Sequence, residues 1–348
     1  EKMKLTDIVM MCFLAGAAIG TASAHDSIAN RTVPETWGVA TSYPGDTVSG
    51  HAAADFARFL NAATRSQHHA APIFNTKTLP ASLISASNSV PFALLFASDL
   101  SDDERILALS IRPYEVKSID EALEMARLAK PAYRVALEHH DLVLLAVIPW
   151  PPTGLWSRAQ ISSPESFAGM RIRTYDQSSK RVMEALGAEV VSLSIQEAFD
   201  QINRGALDAV MSSGDGAAGR AYAESLRNFT ALQYAFPVSF LVARKSFLDS
   251  LAASERRAVF DAGIQTERLA WQRLPDRVRQ NYREMDDLGV NVKDPVPKPV
   301  LDAVQRAARY DAEAALIDDV TAQALAEFRN CAPSSRRICP SAPREESQ

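Results

Sequence analysis

At 348 residues the chain is long enough for two domains with their own cores, and 47% hydrophobic with 23% charged residues is ordinary for a soluble protein. A net charge of −5 offers no broad basic face for neutralising phosphates, which argues against nucleic acid as a partner. Past the N-terminal region there is no run of about 20 apolar residues, so no membrane-spanning helix is expected.

Lys2 and Lys4 precede an apolar run over residues 8–19, followed by Ala22, Ser23 and Ala24. This is the pattern of an export signal, so residues 1–24 are read as a signal peptide and the rest as a periplasmic chain starting at His25. Cys12 lies inside that signal, which leaves Cys331 and Cys339. In an oxidising compartment a disulfide between them is expected over free thiols. A metal site there would need two more ligands, and no histidine follows His140.

Residues 36–41 read as a strand, and Tyr43, Pro44, Gly45 and Asp46 as a turn or ligand-facing loop. Trp37, in that first strand, is either core or pocket wall. Apolar residues at 52, 53, 56, 57, 59 and 60 give the spacing of an amphipathic helix over 48–64. Residues 72–74 restart a strand, 79–84 read as a short helix and 90–96 as another apolar segment. Ser118 with Glu121 forms a capping box for a helix to His140, kinked at Pro131. The pairs His68–His69 and His139–His140 lack a third ligand and are not read as metal sites. Residues 142–148 form a near-continuous apolar strand, which is what burial on both faces of a parallel sheet requires. It ends in PWPPTGLW, a rigid stretch where the chain should pass from one domain to the other.

Residues 170–213 read as strand, helix, strand, helix, strand. Ser178 starts the first helix and Gly187 stops it; Ser194 with Glu197 caps the second, and Gly205 ends it. Two βα repeats with such brief loops require parallel strands, whose C-terminal ends face the ligand. Arg173 and Tyr175 stand at one of those ends, Ser212 and Ser213 at another. A guanidinium there matches a carboxylate with a planar fork, as an ammonium cannot; the competing reading pairs Arg173 with Asp176 at the surface. Gly214, Gly216 and Gly219 match G-x-G-x-x-G, but residues 233–239 carry no acid for a ribose, so no dinucleotide or other cofactor is expected. The glycines instead let a loop backbone approach the ligand. Residues 236–243 form a strand back to the first domain, and Ser254 caps a long helix over 255–288, bent at Pro275. At roughly 50 Å it must bridge domains or brace a hinge. A short strand at 291–292, a final helix to about 328 and a disordered tail over 331–348 complete the chain.

Four segments, PWPPTGLW, SPESFAGMRIRTY, LGAEVVSLSIQEAFDQINRGALDAVMSS and FPVSFLVARKSFLDSL, make most of the mature chain resemble the DctP-type substrate-binding proteins of TRAP transporters. The resemblance implies an α/β fold of the periplasmic binding protein type: two lobes of mostly parallel sheets flanked by helices, with a long helix bridging both. On this chain, lobe I takes 25–150 plus 238–280 and lobe II takes 151–237 plus 281–330. It also implies that Arg173 pairs with the carboxylate of a solute. Three positions depart from the family pattern. Met211 and Ser212, followed by Ser213, stand where many members have an acid and an asparagine, Thr153 where many have a second arginine (Arg158 being a nearby substitute), and Ser239 where one has an asparagine. Trp150, Trp156 and Phe236 would wall a pocket for a sugar acid or an aromatic acid. The expected function is therefore non-catalytic: a monomeric receptor that captures a small organic acid and delivers it to TRAP membrane permease subunits. A sensory receptor reporting to a kinase is the alternative. A secreted hydrolase is a weaker one, since no G-x-S-x-G or H-E-x-x-H motif occurs.

Overall fold

The structure is a computed structural model and describes residues 36–331, apart from 65–67, 79, 87–88 and 315–316. The export signal over 1–24, Cys339 and the tail beyond 331 lie outside the described residues. Cys331 is disulfide-bonded.

In chain order the first part comprises β1 (Thr36–Ala40), α1 (Val48–Ala63), β2 (His69–Ile73), α2 (Pro80–Ala86), β3 (Phe92–Phe96), a 3-10 segment (Arg105–Ile111), α3 (Ile119–Glu138) and β4 (Leu142–Pro149). The chain then crosses to β5 (Gly154–Ser157), β6 (Arg171–Thr174), α4 (Gln177–Glu184), β7 (Glu189–Ser192), α5 (Ile195–Asn203), β8 (Ala209–Ser212), α6 (Ala217–Ala223) and β9 (Asn228–Thr230). It returns as β10 (Val238–Arg244) and α7 (Lys245–Ser250), and α8 (Ala253–Asp287) leads to β11 (Asn291–Lys293), α9 (Lys298–Ala314) and α10 (Asp319–Cys331).

Two separate mixed sheets result, ordered β2-β1-β3-β10-β4 and β11-β9-β5-β8-β6-β7. The βαβαβ unit is parallel as its short loops demand, with β6 flanked by β7 and β8. The returning β10 inserts antiparallel between β3 and β4. This changes the meaning of the apolar β4. It is an edge strand with one ladder partner, not the interior of a parallel sheet, and its two faces are buried by helices instead: Leu144 and Val147 join the α3 side, Leu145 and Ile148 the α1 and α8 side. The exposed-edge problem is met by α8. Glu267 accepts from the Val147 amide at 2.6 Å and Trp271 Nε1 donates to the Val147 carbonyl at 3.0 Å.

Local chemistry explains most boundaries. Thr47, Ser118 and Ser194 accept from amides three residues on and start α1, α3 and α5. Glu197 reaches back to the Ser194 amide at 2.9 Å, completing that capping box. Gly187 and Gly205, at φ 88° and 71°, follow the ends of α4 and α5. Two starts differ from expectation. Asp176, not Ser178, caps α4 by accepting from the Ser179 amide at 2.8 Å, because a carboxylate two residues earlier stands just ahead of the first free amides. The long helix begins at Ala253 without a side-chain cap, ahead of Ser254.

At 35 residues α8 is roughly 50 Å long. Its first half packs Val259 and Ala262 into the first lobe, and Met285 near its end packs into the second. Helix α10 then departs from the expected division: Ala324, Leu325 and Phe328 bury against the first lobe with α3, so the chain crosses back once more after α9. Among the described residues no helix is long and apolar enough to cross a membrane, and no His/Cys/Asp/Glu group could hold a metal.

Candidate functional site

The C-terminal ends of β1, β3, β6 and β8 converge with the two crossovers on a small, partly open cavity of about 40 Å³ between the lobes. Arg173 is its one cation. The residue is 7% exposed and points along the floor, where Nε donates to the Leu193 carbonyl at 2.8 Å and Nη1 to the Met211 carbonyl at 3.3 Å. Two backbone carbonyls thus hold the guanidinium in place without neutralising it. Among the described residues no carboxylate lies within ion-pair distance of Arg173. The surface partner considered from sequence, Asp176, is engaged at the cap of α4. Arg171, two positions back, is a contrast: it is half-exposed and bidentate to Asp208 at 2.7 and 2.8 Å. A buried charge held by carbonyls and left without a counter-ion is costly unless an anion completes it.

Opposite the guanidinium stands an aromatic wall. Tyr43 and Trp150 rings lie 4.6 Å apart, Phe96 is edge-on to Trp150 at 6.1 Å and to Tyr175 at 5.7 Å. Trp150 is fixed from behind, its indole Nε1 donating to Ser239 Oγ at 2.9 Å. Tyr175 donates its hydroxyl to Thr153 Oγ1 at 3.3 Å. Burial pushes both the Tyr43 and Tyr175 phenols above their usual range, so they serve as neutral donors. Ser212 and Ser213 continue β8 into the cavity wall, with Ser212 Oγ accepting from the Gly214 amide at 3.1 Å. The remaining lining charge, Asp215, is already paired with Arg277 at 2.6 Å. Larger surface hollows exist, one of about 660 Å³ between α4, α9 and the 3-10 segment, but charges of both signs line it and Arg181 is spent on Asp311.

Of the residues singled out in the sequence, the cavity brings together Arg173, Tyr175, Trp150, Ser212 and Ser213. Five others are elsewhere. Trp156 is fully buried beneath the loop after β8, packed on Phe229 at 5.2 Å and Tyr222 at 5.7 Å. Arg158 follows the far end of β5, where it donates to the carbonyls of Leu207, Ile202 and Ser225 and ties chain ends together. Phe236 belongs to the first-lobe core, and its neighbour Pro237 takes the place on the cavity wall. Ser239 is fully buried and occupied with the Trp150 indole, so it supports the wall from behind. Trp37 stands at the start of β1, the end away from the cavity, stacked on His68 at 4.0 Å and edge-on to Phe247 at 5.0 Å.

Tyr43, Phe96 and Thr153 also line the cavity: Tyr43 lies in the segment read as a turn or ligand-facing loop and Thr153 at the place of a family arginine, while Phe96 was not singled out. The signal that could have found Tyr43 and Phe96 is the one that found Arg173: both lie at or just past C-terminal ends of parallel strands.

Comparison with known proteins adds a lineage. The family model for bacterial extracellular solute-binding protein, family 7 (DctP), matches residues 113–315. A solute-binding protein of Albidiferax ferrireducens is 28% identical over 138 residues, which is 38% of this chain and 40% of that relative. The fold is similar to DctP7 of Bordetella pertussis, an extracytoplasmic solute receptor binding pyroglutamic acid, with a TM-score of 0.79 and 22% identity over 84% of this chain and 99% of that one. It is also similar to a TRAP periplasmic solute-binding protein of Sulfitobacter with bound β-D-galacturonate, with a TM-score of 0.73 and 16% identity over 85% of this chain and 100% of that one.

Proposed function

This chain belongs to the DctP family of bacterial extracellular solute-binding proteins, family 7, and on that premise we propose that it is a periplasmic receptor for a compact organic monocarboxylate of the pyroglutamate kind. The observation that carries the reading is Arg173, a buried guanidinium oriented by two carbonyls and lacking a counter-ion among the described residues. A carboxylate supplies that counter-ion with matching bidentate geometry.

Three further features narrow the solute. Among the described residues Arg173 is the only uncompensated charge on the cavity wall, so a second carboxylate on the solute would face aromatic rings or the paired Asp215. The wall of Tyr43, Phe96, Trp150 and Tyr175 favours a flat or ring-shaped body, whose polar edge the hydroxyls of Ser213, Thr153 and Tyr175 can bond. Ile195, Met211, Ala218 and Pro237 add apolar surface to the wall, which favours a compact ring acid over a hexuronate with its many hydroxyls. With lobes on either side, capture proceeds by closure, and the closed receptor presents its solute to membrane permease subunits.

The test is mass spectrometry of solute retained by the purified protein, followed by a thermal-shift screen of pyroglutamate, uronates and dicarboxylates. A retained monocarboxylate, with stabilisation by pyroglutamate and none by succinate, is the expected result. Stabilisation by dicarboxylates alone, or turnover of the bound acid, would overturn the reading.

A further inference from the structure

The loop that carries Ser212 and Ser213 into the cavity continues into Asp215, a carboxylate only 1% exposed. Its two oxygens face different parts of the molecule. Oδ1 accepts from Arg277 Nε at 2.6 Å and from Asn281 Nδ2 at 3.2 Å, both on α8 where that helix passes between lobes. Oδ2 accepts from the backbone amide of Val48 at 2.7 Å, the first residue of α1 in the first lobe. The same seam carries a second acid in the reverse sense. Asp46, from the first lobe, accepts from the Ala217 amide at 3.2 Å and pairs with Arg220, both in the second lobe. Gly216, at φ 58°, permits this approach, because a Cβ there would lie 2.7 Å from the Asp46 carbonyl oxygen. Asp46 and Val48 belong to the first lobe and Asp215, Ala217 and Arg220 to the second, so a rotation of one lobe away from the other acts on these contacts, and a buried carboxylate that loses a donor is left with an uncompensated lone pair.

We infer that Asp215 is a positioning residue for solute capture: it holds the serine loop at the cavity and, through the Val48 amide, locks that loop to the first lobe when the cleft is shut. The inference rests on the cavity being the solute site. Its consequence is kinetic. Solute enters the open form before the contact exists and leaves only after it breaks, so the contact governs dissociation and not association.

Two substitutions separate this role from mere support of the fold. Asp215→Asn keeps the side-chain size and removes the charge. Val48→Pro leaves Asp215 untouched and deletes only the amide it accepts. Proline suits the first position of a helix, and the Thr47 cap bond to the Gly50 amide at 3.2 Å is independent of it. The experiment uses the full chain in two arms: small-angle X-ray scattering without solute, and stopped-flow tryptophan fluorescence with pyroglutamate as the probe. Both variants are expected to have a larger radius of gyration than the wild-type chain without solute. Both should release pyroglutamate about tenfold faster, with association changed less than about threefold. Unchanged radii and unchanged release in both variants would overturn the inference, as would slower association with normal release. If the wild-type chain does not bind pyroglutamate, the proposed solute fails while the scattering arm still decides on the latch: expansion in both variants supports it, and equal radii reject it.

Discussion

Arg173 differs from the other arginines near it in what its guanidinium faces. Arg171, Arg181, Arg220 and Arg277 each meet a carboxylate, whereas Arg173 meets two carbonyls and a cavity. Its position at a strand end was legible from sequence, and so was the chemistry of a forked cation. What was not legible was which neighbours close around it. Trp150 and Trp156 look equivalent in PWPPTGLW, yet Trp150 lies on the crossover before β5 and lines the cavity, whereas Trp156 lies within β5 and is buried in the second-lobe core. Ser239 appeared as a ligand group and proves to be the acceptor for the Trp150 indole. That bond is testable. Trp150→Phe keeps an aromatic face but strands the buried Ser239 hydroxyl, and should lower stability by about 1–2 kcal/mol in urea unfolding. An unchanged midpoint would mean that the bond contributes nothing.

At the scale of elements, caps and stops were the most readable features, because they depend on residues only three or four apart. Asp176 shows the limit: Ser178 and Asp176 are both good caps by residue type, and the choice depends on where β6 ends. Burial raises the Asp176 pKa to about 6, above that of an unfolded aspartate. The folded state therefore binds the proton more tightly, and this group's contribution to stability is present at low pH and lost as pH rises from about 4 to about 6. Asp176→Asn, which keeps the cap, should remove that decline from the pH profile of thermal unfolding. A variant profile that still falls over that window in parallel with the wild type would contradict the assignment. The edge of β4 offers a second test. Glu267 satisfies the Val147 amide and also pairs with Lys130 at 2.8 Å. Glu267→Ala should cost about 1–3 kcal/mol by leaving a buried donor unmet, whereas Lys130→Ala should cost less, since an ion pair near the surface contributes little.

At the scale of the molecule, the two-lobed α/β architecture, the crossover at 150–153 and the bridging helix were all legible, because apolar periodicity and proline-rich boundaries are local signals. The insertion of β10 between β3 and β4 and the return of α10 to the first lobe were not. Both are pairings between distant segments that carry no mark in either partner alone. The interlobe seam belongs to the same class: Asp46 and Asp215 are 169 positions apart, and only the closed arrangement shows that they bind the two lobes in opposite senses. At the centre of the molecule stands one guanidinium awaiting one carboxylate between two lobes. Isothermal titration calorimetry of pyroglutamate against the wild-type chain and Arg173→Ala tests it most directly. Binding to the wild type is expected, with a loss of about 2–5 kcal/mol, roughly thirtyfold to several thousandfold in affinity, in the variant. Equal affinity in the two proteins would contradict it.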